Sequence, residues 1–342
     1  MVEPAHEIAV ALARLRPDVS DPVERTSSWV RSALDAGLLD LPLPGRGETA
    51  ARYDALGAVG AVDLDVARLV EAHTDAAAIL TDLGGDPGDG ELWGVWAADP
   101  PVDPLVARPA GAGWLLVGTK PWCSGAGTCD RALVTARTED GYRLFAISMA
   151  GSTALPVDGT WPALAMRGCD SRSVRFTSHP AVAVGEPGAY LERAGFWHGA
   201  VGVAAVWLGG AVGVARALSR AHAKRPLGSH ALAHAGAVDA ELAGAAAVLR
   251  ASAAVFDADP TDQSRQARLL AGRSRAVVEG AATAVTDRVG RALGAGPLAL
   301  DPEHARRVGD LALYLRQSHA ERDLEDLGSR SLAAADGRRW PW

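Results

Sequence analysis

The chain has 342 residues, 48% hydrophobic and 22% charged, the profile of a folded protein with length for about two domains. A formal net charge of −7, with no Lys/Arg block longer than a pair, argues against nucleic acid as a partner, because phosphate neutralisation needs a basic face. Three cysteines, Cys123, Cys129 and Cys169, are too few for a disulfide framework and form no Cys-x-x-Cys pair, so no metal is expected and a reducing cytoplasm is the consistent compartment.

The first apolar periodicity, over residues 5–16, predicts a helix stopped by Pro17 and Asp18. Ser20-Asp21-Pro22 opens a second, with Trp29, Val30, Ala33 and Leu34 on one face and Gly37 at its end. After a Leu-Pro-Leu-Pro connection, residues 49–83 predict two further helices broken near Gly57–Asp63, with Val66, Leu69, Val70, Ile79 and Leu80 as core positions. Gly84-Gly-Asp-Pro-Gly-Asp-Gly90 cannot continue a helix and marks a boundary. From Leu92 to about Pro187, short Val/Leu/Phe runs between Gly, Pro and Asp clusters predict an antiparallel β unit. Beyond Gly188, Ala/Leu/Val-rich segments at 193–223, 231–257, 261–293 and 303–330 predict an antiparallel four-helix bundle. The fold class expected is therefore α+β in three consecutive blocks: an N-terminal helical domain at 1–90, a middle β domain at 91–188 and a C-terminal bundle at 189–342.

Residues 199–215 carry no charge, yet they fall short of the ~20 apolar residues that span a bilayer and are largely Gly and Ala. They predict a helix buried inside the bundle, with Gly202, Gly209, Gly210 and Gly213 allowing close backbone approach, rather than a membrane span. The N-terminus, Met1-Val-Glu-Pro-Ala-His-Glu, has no basic and apolar regions of an export signal. The Gly199-x-x-Gly and Gly209-Gly-x-x-Gly strings lack a preceding strand and are assigned to helix packing, not to dinucleotide binding.

The richest stretch is Gly113–Arg137, in which two β-type runs, Trp114–Val117 and Ala132–Ala136, flank a Gly-rich corner containing Trp122, Cys123, Ser124, Gly125 and Gly127. An indole beside a small hydroxyl and glycines suits a flat ligand lying against backbone; taken alone, the same residues also read as a core aromatic and a turn. About forty residues on, Trp161–Phe176 repeats the logic of turn, small polar residues and strand.

These two stretches together resemble the middle β domain of the acyl-CoA dehydrogenase family of flavoproteins. The matching positions are Gly113, Trp114, Leu116, Gly118, Lys120, Trp122, Cys123, Ser124, Gly125 and Ala126, then Leu164, Ala165, Met166, Arg167, Gly168, Ser171, Val174 and Phe176. The resemblance implies a helical domain, a β-barrel and a helical bundle, a homo-oligomer, and FAD as cofactor. It places Trp122, Cys123 and Ser124 beside the flavin ring, with Arg167 and Ser171 as structural neighbours. At Lys224-Arg225-Pro226-Leu227-Gly228 the family carries an Arg that meets the FAD phosphate across a subunit interface; here that role falls to Lys224 or Arg225. A cation at a helix C-terminus is also favourable with no ligand at all.

The activity implied is oxidation of an acyl thioester, by α-proton loss and hydride transfer to flavin, with an electron-accepting flavoprotein or oxygen downstream. That chemistry needs a positioned base. Counting to the family's Glu position from Asp310 lands on Ser318, and the minority position on the first bundle helix, Phe196–Ala200, offers only His198. His319 is the second candidate, because flavin monooxygenases of the same fold carry a His in about this place and need no α-proton base. The segment around it, with Leu311, Leu315, Ala320 and Leu324 near helical spacing, predicts a continuous helix on which Glu321 and Asp323 form a solvated face. The family's phosphate-binding loop is replaced by Trp93–Pro100. Two alternatives stand beside the dehydrogenase: a flavin monooxygenase of the same fold, and a catalytically silent flavin- or acyl-binding partner subunit.

Overall fold

The computed structural model describes residues 4–98 and 103–334. The stretch expected to replace the phosphate loop is therefore described only to Ala98, with Asp99 and Pro100 outside the described residues.

Four helices come first: α1 (Pro4–Arg14), α2 (Pro22–Asp35), α3 (Thr49–Val62) and α4 (Leu64–Leu83). The Asp21 carboxylate starts α2 by accepting the amides of Val23 and Glu24 at 3.0 and 2.9 Å, with Pro22 in the first turn, where its missing N–H costs nothing. Seven strands follow: β1 (Trp93–Trp96), β2 (Val106–Ala110), β3 (Gly113–Lys120), β4 (Arg131–Thr138), β5 (Gly141–Ser148), β6 (Ala154–Val157) and β7 (Ser173–Val184). The rest is helical: α5 (Ala189–Glu192), α6 (Gly195–Lys224), α7 (Ser229–Ala258), α8 (Ala267–Leu293), α9 (Gly296–Leu300), α10 (Pro302–Tyr314) and α11 (Glu321–Ala334).

Three expectations are corrected. The β unit is not wholly antiparallel, since β4 lies parallel to β1 along Trp93–Trp96 and touches β2 in parallel at Val106/Arg137. Parallel neighbours need a long crossover, and the whole of β2, β3 and the corner after it supplies one between β1 and β4. The helix expected over 303–330 is broken: α10 ends in a 3₁₀ turn at Leu315–Gln317, Ala320 takes a positive φ of 47°, and α11 starts afresh. The Asp323 carboxylate accepts the His319 amide at 3.0 Å and Ser318 Oγ accepts the Ala320 amide at 3.2 Å, so side chains compete with helical hydrogen bonding at this point. The same competition delays α8, where Asp259 and Asp262 accept the amides of Gln263, Ser264, Gln266 and Ala267 and hold 259–266 as loop.

The described residues divide into two compact units, each gathering non-consecutive stretches. One gathers Leu12–Leu41 and Asp65–Phe196 and contains the barrel. There β4 pairs with β5, β5 with β7, β7 with β3, β3 with β2, and β2 returns to β4, while β1 and β6 add to the outside of β4 and β7. Alternation along β4 explains the layering. Ala132, Val134 and Ala136 face the barrel core with Leu116, Phe145, Val174 and Phe176, whereas Leu133 joins Ala76, Ile79 and Leu80 of α4. Lys120 is fully buried and donates from Nζ to the carbonyl and hydroxyl of Thr135, both at 2.8 Å, tying β3 to a strand that it does not pair with.

The other unit gathers 4–11, Pro42–Leu64 and 197–334. Its tightest point is the α3/α6 crossing, where a Cβ on Gly209 would stand 2.0 Å from the Gly57 carbonyl oxygen, and one on Gly60 would stand 2.5 Å from that of Val206. The glycines of α6 thus serve helix packing. Both α6 and α7 are long and apolar enough to cross a membrane by composition; the apolar window of α6 is 78% buried inside the protein, and that of α7 only 17%. His230 and His234 stand one turn apart on α7, and no third ligand joins them among the described residues.

Candidate functional site

The corner between β3 and β4 is held from two sides. On one side lies the turn before β7: the Cys123 amide donates to the Arg172 carbonyl at 3.0 Å, Gly125 to Cys169 at 2.7 Å and Ala126 to Asp170 at 3.2 Å. The Asp170 carboxylate accepts the Gly127 amide at 2.9 Å and pairs with the Arg172 guanidinium through two nitrogens. The two stretches singled out in the sequence are therefore one hydrogen-bonded body. Three non-glycine residues with positive φ lie within it, Trp122 at 53°, Met166 at 51° and Asp170 at 43°. Strained backbone persists only where the surroundings fix it, and such residues concentrate at ligand sites.

On the other side lies α4. Asp65 accepts the Cys169 amide at 3.1 Å, Arg68 Nε donates to Ser124 Oγ at 3.2 Å, and Arg68 is ion-paired with the buried Glu71. Two residues beyond Glu71, His73 Nδ1 accepts the Trp93 amide at 3.2 Å, and burial pushes its pKa down although Asp40 pulls it partly back. Positions 65, 68 and 71 recur at helical spacing, so a polar stripe on the barrel-facing side of α4 clasps both turns. The sequence reading missed these residues, because Asp, Arg and Glu three apart look the same on a solvated face. The one available signal is that the intervening Val66, Ala67, Leu69 and Val70 are all apolar, which leaves no broad solvated face for the three polar residues.

Among the expected site residues, Trp122 is 55% exposed and presents an indole to solvent, whereas Ser124 is only 5% exposed. The Ser124 hydroxyl lies 2.8 Å from that of Ser171, and its carbonyl accepts the Trp96 indole N–H at 2.9 Å. Cys123 has its side chain in the barrel core, where the thiol donates to the Lys120 carbonyl at 3.2 Å and burial pushes its pKa up strongly. Cys123 thus offers a ligand only its backbone. The corner glycines answer to packing within the chain: a Cβ on Gly125 would stand 2.6 Å from Cys129 Sγ, and one on Gly127 2.9 Å from both Asp170 Oδ2 and an Arg172 nitrogen.

Lys224 and Arg225 belong to the other unit, exposed at the end of α6. His198 is buried there, its ring 4.3 Å from that of Phe256 and its carbonyl accepting the Tyr53 hydroxyl at 2.8 Å. His319 is exposed just ahead of α11, with Nδ1 3.3 Å from Asp323. Ser318, where counting from Asp310 set the expected Glu, is buried and brings no carboxylate. A cavity of about 620 Å³ opens elsewhere on the barrel unit, lined by Leu80, Trp93, Trp114, Arg131 and Val182; neither Trp122 nor Ser124 borders it. The lining of this cavity lacks the convergent buried polar groups found at the corner.

No protein-family model matches the sequence, and no curated protein does. Solved structures do match. The FMN-bound TdsC of Paenibacillus sp. A11-2, a dibenzothiophene monooxygenase, is 20% identical with a TM-score of 0.80, covering 98% of each chain. KijD3 in complex with FMN and dTDP-3-amino-2,3,6-trideoxy-4-keto-3-methyl-D-glucose is 20% identical with a TM-score of 0.80, covering 100% of this chain and 96% of its own. The methanesulfinate monooxygenase MsuC of Pseudomonas fluorescens is 19% identical with a TM-score of 0.80, covering 98% of each. At such identities the likeness carries the fold: this chain has the acyl-CoA dehydrogenase-like α+β architecture with a β-barrel that these proteins share.

Proposed function

We propose that the protein is a flavin-dependent monooxygenase that uses reduced FMN and oxygen on a small molecule. The observation that supports this reading is that the corner expected to face a flavin keeps an exposed indole and a braced hydroxyl, whereas neither position expected for a dehydrogenase base holds a carboxylate. Trp122 stands exposed and the Ser124 hydroxyl is held by Arg68 and Ser171, yet Ser318 occupies the expected Glu position and His198 packs on Phe256. The FMN in two of the structural neighbours, and the monooxygenase names of two, support this reading over acyl thioester oxidation, and FMN over FAD.

The donor set of the corner fits a flavin. An exposed indole suits contact with a flat ring, and a hydroxyl braced by buried partners suits an acceptor on the ring edge. Bound reduced FMN would supply two electrons to oxygen, one oxygen atom entering the substrate and the other leaving as water. The chain's part is to orient the ring through Trp122 and Ser124 and to keep Cys123 out of reach in the barrel core. Lys224 or Arg225 is the proposed cation for the flavin phosphate, reaching it from a second copy of the chain. The scarcely covered apolar length of α7 supports such a homo-oligomer.

Equilibrium titration with FMN and FAD tests the reading, followed by an anaerobic challenge of the flavin-loaded protein with acyl-CoA thioesters. Saturable FMN binding without bleaching is expected. Bleaching by a thioester would restore the dehydrogenase, and failure to bind either flavin would leave a silent subunit.

A further inference from the structure

The Ser124 hydroxyl has one proton and two lone pairs. Arg68 donates and never accepts, and its Nε–H at 3.2 Å therefore occupies one lone pair permanently. The guanidinium is fixed in place by its ion pair with Glu71, the two side chains being 13% and 7% exposed. The proton and the second lone pair of Ser124 are left to be shared with Ser171 Oγ at 2.8 Å.

Ser171 Oγ lies 3.2 Å from Cys169 Sγ, which in turn is 3.0 Å from the Met166 carbonyl oxygen. Two hydrogen-bond directions satisfy this chain. In one, Ser124 donates to Ser171, Ser171 to the Cys169 sulfur, and the Cys169 thiol to the Met166 carbonyl. In the other, Ser171 donates to Ser124, which then accepts twice and has its proton free for another acceptor. Changing from the first to the second needs only two hydroxyl rotations and gives up an O–H···S contact, the weakest bond in the chain.

We propose that Arg68 is a positioning residue that makes Ser124 a hydrogen-bond donor towards the ligand of the corner: its charge-assisted bond holds the Ser124 oxygen as an acceptor and polarises the O–H, so that with Ser171 donating into the second lone pair the proton is left for the ligand. The inference rests on the flavin reading, with a ring nitrogen or carbonyl oxygen as the acceptor.

A double-mutant cycle in FMN affinity, with the visible absorbance band of the bound flavin as second readout, tests it. The charge-balanced pair Arg68→Met with Glu71→Leu is compared in the Ser124 and the Ser124→Ala backgrounds. In the first, affinity is expected to fall about three- to tenfold, the worth of one neutral hydrogen bond, with a shift of the band. In the second, the same pair should change neither. Should the paired variant fail to fold, Arg68→Lys, which keeps the cation beside Glu71 but moves the donor, is expected to give the same non-additivity. Equal losses in both backgrounds would overturn the proposal alone, because Arg68 would then act on the fold or directly on the ligand. Absence of FMN binding by the unaltered chain would overturn the flavin reading and the proposal with it.

Discussion

The Asp65 carboxylate accepts the backbone N–H of Cys169 at 3.1 Å, fastening the turn ahead of β7 to the first turn of α4. Gly168, the residue before, has no room for a side chain: a Cβ there would stand 2.3 Å from Thr26 Oγ1 and 2.8 Å from both Asp65 Oδ2 and the Pro22 carbonyl oxygen. Gly168→Ala should therefore cost ~1–3 kcal/mol, the usual penalty of overpacking, read as a lower urea midpoint at unchanged slope. An unchanged midpoint would mean that this turn is not clamped.

Trp122 separates stability from binding. Its φ of 53° is unfavourable for any side chain, and more than half of its surface is in solvent, so in Trp122→Gly the relief of strain offsets the loss of the covered part of the ring. The melting temperature should hold or rise, and FMN affinity should fall about tenfold, as loss of an aromatic contact worth ~1.4 kcal/mol requires. A drop in melting temperature would show Trp122 to be a structural anchor.

Buried histidines set an acid limit on stability. Burial pushes the pKa of His73 down, and burial does the same to His179 and His304. Below the ordinary histidine value of ~6.5 the unfolded chain takes up protons that the folded chain refuses. Stability is thus complete above that pH and is lost as pH falls through it towards the lowered folded values. His73→Gln should flatten this loss between pH 7 and 5 in urea unfolding by up to one proton; an identical pH profile would contradict the account.

The thiols at the corner should be inert. Desolvation pushes Cys129 up to about 12 and Cys123 higher still, so neither carries thiolate near neutrality. A thiol-specific dye at pH 8 should leave both unlabelled in the native protein and label them after denaturation, with mass spectrometry to locate the adducts. Rapid native labelling of Cys123 would place its side chain outside the barrel core.

Much of this arrangement could be read from residues alone. Asp21-Pro22 marks the start of α2, the Gly84–Gly90 cluster marks the end of the first helices, and the joint resemblance of the Trp122 and Met166 stretches puts both in one β domain. Other features were hidden for physical reasons. Parallel pairing of β1 with β4 is a long-range fact that local alternation does not encode. The break at Ser318–Ala320 depends on the Asp323 carboxylate winning the His319 amide, which helical spacing of leucines cannot reveal. Arg68 stood in an apolar helix with nothing local to say that it faces Ser124.

Reoxidation of reduced FMN by oxygen, followed by stopped flow at increasing protein concentration, tests the central claim most directly. The account predicts a time course that departs from that of the free flavin and saturates at one flavin per chain. A free-flavin time course at every protein concentration would contradict it.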